Sequence, residues 1–406
     1  MTTPALMAFE DARQHLLERA EPLTDFQASP LKNARSRLLA ADLTAPINVP
    51  PYDNSAMDGY AVRAADIEVG ARLPVSQRVP AGMSPTPLLL GSVARVFTGA
   101  PIPHGADAVV MQEQTEADGY NVTFLKPVTQ GQNIRQRGED IAAGSVVIPA
   151  GTQLSPAHIG LAASVGIAEV PVIRPLRVAV FFTGDELTEP GESLLPGRIY
   201  NSNRYWLRGL LAEMGCEIRD LGIVPDSLAA TRLALADAAA NSDVVITCGG
   251  MSVGEEDYVT SAVARDGQLD LWKIAMKPGK PFAFGKLGQA DFIGLPGNPV
   301  SGYVTFLTLV APFIRKRQGL PLPSCLTHAA EVEAAFEWSK PDPKRVEFLR
   351  VRRVMRDGRK VLEAYPHQGS GVLSSMAWAD GLVALAAGQQ VKVGDRLSYW
   401  AFDRML

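Results

Sequence analysis

Cysteine is scarce and scattered. Cys216, Cys248 and Cys325 are the three in the chain, with no CxxC pair and no neighbouring histidine set. Counting alone excludes a disulfide framework and a zinc cage. A basic excess is missing too: 39 Lys and Arg stand against 43 Asp and Glu, a formal charge of −4. Proteins that neutralise phosphates along a duplex carry a basic face, so nucleic acid is not an expected partner. Basic clusters such as Arg315, Lys316 and Arg317 fall where a helix ends and there complement its dipole. The longest apolar stretch, residues 300–314, contains Ser301, Gly302 and Thr305 and is too short for a membrane span. The opening MTTPALMAFEDAR lacks the basic-then-apolar order of a signal peptide. A cytoplasmic protein without membrane attachment is expected.

What the chain does contain fits a soluble globular protein. Hydrophobic residues make up 47% and charged residues 20%, a balance outside the disordered range. Its 406 residues exceed one ordinary core, so roughly two to four domains are expected. Thirty-six glycines and 30 prolines point to many turns and short strands. Residues 8–20 read as a helix with Leu16 and Leu17 on its apolar side, and residues 30–41 as a second helix. The segments LPVSQRV, SVARVFTG, ADAVVMQEQ and YNVTFLKPV are short, valine-rich and bounded by turn residues, which reads as a small all-β domain. A helix then returns, with Ser155 as N-cap, Pro156 at its first position and Gly166 just past its end. The β domain, residues 46–141, is therefore expected as an insertion into a helical linker domain made of 1–45 and 142–175.

Residues 176–330 alternate between strand and helix patterns. LRVAVFF, EIRDLGIV, DVVITC, PFAFGK and ADFIGLP read as strands, and NSNRYWLRGLLAEMG, DSLAATRLALADAAA, a short stretch at 258–265 and a long one from Pro299 as helices. Such alternation implies a doubly wound, mostly parallel sheet with helices on both faces. Residues 331–406 revert to strands separated by turns such as RDGRK and KVGD, and read as a C-terminal β-barrel. The fold class is thus multidomain α/β plus β.

The unusual residues of the α/β segment fall where strands end. TGDE (183–186), Pro225-Asp226, CGGMSVGEEDY (248–258), KPGKP (277–281) and LPGNPVS (295–301) are the five loops. In an open parallel sheet ligands bind beyond the carboxyl ends of the strands, so these loops should line one crevice. Gly249, Gly250 and Gly254 let backbone N–H groups approach an anion closely, and the helix after LPGNP aims its positive end the same way. Lys277 and Lys280 add point charges for an oxyanion. Asp185, Glu186, Asp226, Glu256 and Asp257 would repel that anion unless a hard cation such as Mg²⁺ lay between them. Mg²⁺-dependent handling of a phosphorylated ligand follows. Cys248 reads as a structural thiol at a strand end, and His158 and His367 have no ligand spacing.

With these loops laid out, the chain closely resembles the molybdopterin molybdenumtransferase (MoeA) family and its relative, the E domain of gephyrin. The resemblance runs nearly end to end. It is carried by PPYDNSAMDGYAVR (50–63), FTGAPIPHGADAVVMQE (97–113), QNIRQRGEDI (132–141), TGDEL (183–187), CGGMSVGEEDY, MKPGKPFAFG (276–285), GLPGNPVS (294–301) and HQGSG (367–371).

The resemblance implies an elongated homodimer of four-domain chains, with a cleft at the dimer interface between the α/β domain of one subunit and domains of the other. It implies insertion of molybdate into adenylated molybdopterin, with Mg²⁺-dependent release of AMP. Asp58, Thr98, Asp140 and Glu186 form the implied catalytic set. Arg135, Gly249, Gly250, Ser252, Gly254, Pro296, Asn298 and Pro299 would bind the adenylated pterin. Lys277, Lys280, Pro281, Ser301, Arg350 and Ser370 would hold molybdate, and Glu186, Asp226 and Asp257 would hold Mg²⁺. Either Asp58 or Asp140 would position or deprotonate the attacking water. The family often has aspartate where this chain has Asn201; here Asn201 or Ser202 caps the following helix. Two rival readings are a molybdopterin adenylyltransferase, which leaves the motifs at 50–63 and 97–141 without a role, and a non-catalytic scaffold. A transient complex with the adenylating enzyme, and tungstate as cargo, stay open.

Overall fold

The computed structural model describes residues 6–250, 258–326 and 328–405. The chain divides into two compact units, one of Met1–Gln27 with Ile173–Leu406 and the other of Ala28–Val172. The first helix, α1 (Phe9–Arg19), belongs to the former; Phe9, Ala12 and Leu16 recur at helical spacing and are buried, and Glu10 and Asp11 sit in the first turn where the dipole favours them.

The second expected helix, over residues 30–41, does not form. A single 3-10 turn, Leu31–Asn33, gives way to bends and isolated bridges. The N–H groups of Leu39 and Ala40 donate to the carbonyls of Thr152 and Pro171 instead of to residues four back, and Ser36 has a φ of 62°. Tertiary partners claim this backbone, and helix propensity yields to them.

Within the Ala28–Val172 unit, six strands form one sheet. They are β1 (Gly59–Val62), β2 (Arg72–Val79), β3 (Val93–Val96), β4 (Ala108–Met111), β5 (Thr115–Ala117) and β6 (Asn121–Phe124), in the order β4-β1-β3-β2-β6-β5. Only β2 and β3 run parallel. Tyr60, Val62, Val93, Val110 and Phe124 fill one face, and Ala61, Val79, Val96 and Val109 the other. Helix α2 (Pro156–Ser164) starts as expected: the Ser155 hydroxyl accepts from the His158 N–H, and the His158 ring accepts the Ser155 N–H at 3.1 Å. His158 is therefore a capping residue. Gly166 follows the helix with a φ of 83°.

The other unit is built on a six-stranded sheet. Its elements are β7 (Arg177–Thr183), α3 (Ser202–Glu213), β8 (Glu217–Val224), α4 (Leu228–Asn241), β9 (Val244–Cys248), α5 (Tyr258–Asp266), β10 (Gln268–Lys273), β11 (Met276–Lys277), β12 (Pro281–Leu287), β13 (Ala290–Leu295) and α6 (Pro299–Thr305). The sheet order is β8-β7-β9-β13-β12-β10, where β11 belongs elsewhere. Four neighbours are parallel, and β12 and β10 extend the sheet antiparallel. The sheet is thus mixed at one edge. Strand alternation sorts the core: Val178, Val180 and Phe182 face α1, α3 and α6, whereas Ala179 and Phe181 face α4 and α5. From α6 the helix continues through a π segment, Phe306–Val310, into α7 (Ala311–Arg317). Its basic end is stapled: Arg315 donates to the carbonyls of Cys325 and Arg404, Lys316 to Leu17, and Arg317 to Glu21.

The C-terminal strands are β14 (Ala330–Ala334), β15 (Val346–Arg356), β16 (Arg359–Ala364), β17 (Gly381–Leu385) and β18 (Arg396–Ala401). They close on themselves in the order β15-β16-β14-β18-β17, with β17 pairing back to β15. This is a closed five-stranded barrel. Strand β11 adds to its rim, pairing Met276 with Val346 and Lys277 with Glu347.

Candidate active site

In the Ala28–Val172 unit, three motifs distant in sequence are stitched into one platform by backbone bonds. The Ser55 N–H donates to the carbonyl of Ala100, and the Gly99 N–H to that of Ser55. Ala56 donates to Asn133, Gly138 to Pro50 and Asp140 to Val49, while the Arg137 N–H reaches the Asp53 carboxylate at 2.7 Å. Asp58, Thr98, Arg135 and Asp140 all project from this platform and are exposed. The backbone N–H and hydroxyl of Thr98 both donate to one Asp58 oxygen at 2.8 Å. These two bonds hold the Asp58 carboxyl below its ordinary range. A carboxylate so acidified is a weak base, which favours orienting a water over deprotonating it.

At the α/β rim, TGDE and the loop after β8 are neighbours. The Asp185 N–H donates to the Asp226 carboxylate at 3.2 Å, and the Glu186 side chain lies against Gly184. Glu186 and Asp226 are both exposed. Gly249 and Gly250 have φ values of 100° and 65°, and a Cβ on Gly250 would come within 2.7 Å of Val259. Only glycine suits that turn. Gly249 donates to the Leu295 carbonyl, which joins this loop to LPGNP, and Asn203 of α3 donates to the Gly297 carbonyl at 2.7 Å. Ser252, Gly254 and Asp257, with Glu256, lie outside the described residues. Among the described residues no three His, Cys, Asp or Glu side chains group closely enough to hold a metal ion.

The lysine loop reaches the same rim by an unexpected route. Because β12 runs antiparallel to β13, its first residues lie at the carboxyl end of the parallel strands. Lys280 and Pro281 are exposed there. Gly279 has a φ of 116°, and a Cβ on it would meet the Thr305 hydroxyl at 2.4 Å. That hydroxyl is buried without a hydrogen-bond partner, one helical turn beyond buried Ser301. Pro299 opens α6 after Asn298, and the Val300 N–H donates to the Ser370 carbonyl at 3.0 Å. The HQGSG loop therefore occupies one of the helix's free donors.

Lys277 is held by a residue that motif reading passed over. Its ammonium pairs with Glu347 at 2.7 Å. Arg350 is fully buried, donating to the Ser375 hydroxyl and to the carbonyls of Phe348 and Gly369 at 3.1 to 3.2 Å. Burial pushes its guanidinium down to about 10. In this arrangement Arg350 meets the HQGSG loop, at Gly369, beside half-buried Ser370.

Residues 7–166 match the MoeA N-terminal region (domain I and II), 179–316 the "Probable molybdopterin binding domain", and 331–402 the MoeA C-terminal region (domain IV). A molybdopterin molybdenumtransferase of Haemophilus influenzae is 47% identical over 318 residues, covering 77% of this chain and 78% of that one. The chain belongs to the molybdopterin molybdenumtransferase family. Molybdopterin molybdenumtransferase 2 of Mycobacterium tuberculosis is 37% identical over 387 residues, covering 90% of this chain and 94% of that one. The crystal structure of the molybdopterin biosynthesis moeA protein from Pyrococcus horikoshii superposes with a TM-score of 0.82 at 28% identity, covering 98% and 100% of the two chains. The adenylyltransferase and scaffold readings are not favoured, because the family match extends through 7–166 and 331–402 as well as the α/β domain.

The Asn201 side chain caps α3. Its oxygen accepts the Arg204 N–H at 3.3 Å, and the residue is 1% exposed. Capping occupies that oxygen. Cys248 is buried, and burial pushes its thiol well up, as suits a structural thiol. Glu347 and Asn203 are the residues that sequence reading missed. The signal for the former was a lone carboxylate in the apolar run VEFLRV.

Proposed function

We propose that this chain inserts molybdenum into molybdopterin, taking molybdate and adenylated molybdopterin and releasing AMP. One observation carries the reading: the KPGKP lysines, the start of α6 and the HQGSG loop meet at one rim, through Gly279 on Thr305, Val300 on Ser370 and Lys277 on Glu347. Molybdate is a tetrahedral oxyanion, and this rim supplies two ammonium groups and hydroxyl donors for it. Lys277, Lys280, Ser301 and Ser370 hold its oxygens, Pro281 borders them, and Arg350 serves them through the loop at Gly369. Each oxo ligand replaced by a dithiolene sulfur leaves as water after protonation, so the anion must be fixed beside the sulfurs.

The pyrophosphate of the pterin adenylate runs along Gly249, Gly250, Ser252 and Gly254, with Pro296, Asn298 and Pro299 beside it. Glu186 and Asp226 are exposed oxygen donors on neighbouring strand ends, tied through the Asp185 N–H, and hard oxygens of this kind suit Mg²⁺. With Asp257 they are its proposed ligands. When bound, the cation offsets the charge of the pyrophosphate. On their own platform, Arg135 binds substrate, Asp58 held by Thr98 orients a water, and Asp140 shares that task. The protein works as a homodimer in the cytoplasm. Among the described residues no helix is long and apolar enough to cross a membrane.

The test is AMP release from adenylated molybdopterin by the purified protein with Mg²⁺, with and without molybdate. Molybdate-stimulated release, yielding a cofactor that activates an apo-molybdoenzyme, is the expected result. Absence of release, or formation of the adenylate from ATP and molybdopterin, overturns the reading.

A further inference from the structure

Glu347 is 2% exposed, and burying a carboxylate is costly unless its oxygens are paired. Each of its oxygens has a distinct set of partners. Oε2 accepts the Trp338 indole N–H and the Asp342 backbone N–H, both at 3.1 Å, which fixes the carboxylate within the barrel. Oε1 is left for the Lys277 ammonium at 2.7 Å. The parallel register of β11 and β15 sets Lys277 directly beside Glu347, so the barrel strand dictates where the lysine stands.

The pair is lopsided. Glu347 has 3% of its side chain exposed and Lys277 has 37%, so the anion is sealed while the cation stays at the rim with donors to spare. Arg350, three residues along β15, is buried and is attracted by the same carboxylate. Lys277 at the rim and Arg350 behind it repel each other, and Lys280 adds a third positive charge to the rim. One buried anion relieves that repulsion and still leaves a net positive charge for a dianion.

We infer that Glu347 is a positioning residue for molybdate capture, holding the Lys277 ammonium at the oxyanion site and keeping Lys277 and Arg350 around one carboxylate while that site is empty. The inference rests on the assignment of Lys277 to molybdate proposed above.

The experiment measures molybdate-dependent AMP release by the full-length protein in Glu347→Gln, Lys277→Ala and the double variant, with thermal midpoints as a check on folding. Glu347→Gln keeps the shape and removes the charge. It should raise the KM for molybdate about tenfold, by analogy with the loss of groups that orient metal ligands, and change kcat far less. The double variant should be no worse than Lys277→Ala, since a residue acting through the lysine has nothing to act on once it is gone. A raised KM in Lys277→Ala with an unchanged KM in Glu347→Gln overturns the inference, and so do additive losses in the double variant. An unchanged KM in Lys277→Ala removes the underlying assignment and the inference with it. If Glu347→Gln does not fold, Trp338→Phe tests the same point, because it frees one bond to Oε2 and keeps the charge. A raised molybdate KM there supports the role, and an unchanged KM overturns it.

Discussion

Glu347 and Asp291 are both buried carboxylates gripped by a lysine, yet they stand at opposite ends of the strands. Asp291 is 0% exposed near the start of β13, away from the rim loops, with Lys286 at 2.8 Å and Arg317 at 3.1 Å. Burial pushes the Asp291 carboxyl up, against the opposing pull of the Lys286 and Arg317 charges. Glu347, by contrast, has two aligned N–H donors on one oxygen and a single ion-paired lysine on the other; the two lysines are about equally exposed, Lys277 at 37% and Lys286 at 39%. The same pairing thus does two jobs. At the far end of the sheet two cations, Lys286 and buried Arg317, neutralise one carboxylate, and at the rim N–H donors hold one carboxylate oxygen while the other pairs with a lysine. Lys277 sets the scale of the difference. Lys277→Ala should lower molybdate-dependent kcat/KM by roughly a hundredfold, in the range for loss of one electrostatic stabiliser, with pterin binding affected much less. Equal losses in both would erase the distinction between the two ends.

Backbone shape at the rim gives the next largest effect. Gly279→Ala places a Cβ against the Thr305 hydroxyl at a φ of 116°. Strain of about 1–3 kcal/mol is expected, relieved by moving the lysine loop. Molybdate KM should rise and the thermal midpoint fall together. A lowered midpoint with unchanged KM would mean that the lysines do not depend on the turn.

At the far end the expected change is in stability alone. A carboxyl whose folded pKa is raised above its unfolded value of 3.8 is a burden when ionised, and that burden lifts as pH falls through the raised folded value towards 3.8. Asp291→Asn cannot titrate. The midpoint of the wild type should therefore gain on that of Asp291→Asn as pH is lowered, with no change in molybdate KM at neutral pH. Thermal melts across that range measure the sign, and the opposite trend would show that the Lys286 and Arg317 pairs outweigh burial.

These contrasts also explain what was legible in the sequence. The α/β alternation was readable because β7 and β9 are apolar on both faces and their helices carry clear caps and stops, as at Ser227 and Gly215. The rim loops could be read because glycine, lysine and acidic residues cluster at strand ends. Residues 30–41 misled because leucine spacing cannot reveal that Thr152 and Pro171 will claim the backbone. The Lys277–Glu347 pair was hidden for the same reason. Seventy positions separate its members, and only the pairing of β11 with the barrel brings them together. Antiparallel β12 was equally silent in the sequence, though it is what carries KPGKP to the rim.

A third carboxylate, Asp58, sharpens the comparison through its smallest effect. It is exposed and held by Thr98 through a backbone N–H and a hydroxyl on one oxygen, with a weaker attraction from Arg95. Those bonds lower its folded pKa, so its contribution to stability is present above the unfolded value of 3.8 and is lost as pH falls through the folded value. Thr98→Val removes the hydroxyl bond and keeps the N–H bond. Asp58 should then titrate higher, still below neutrality, as followed by NMR of its carboxyl carbon. Because the residue stays ionised at pH 7 in either form, AMP release there should fall only through looser aim, by about a few-fold. If the rate instead collapsed as far as in Lys277→Ala, Asp58 would have to act as a base whose acidity Thr98 sets. An unmoved titration would mean that the N–H alone holds the carboxylate and that the hydroxyl is free for substrate.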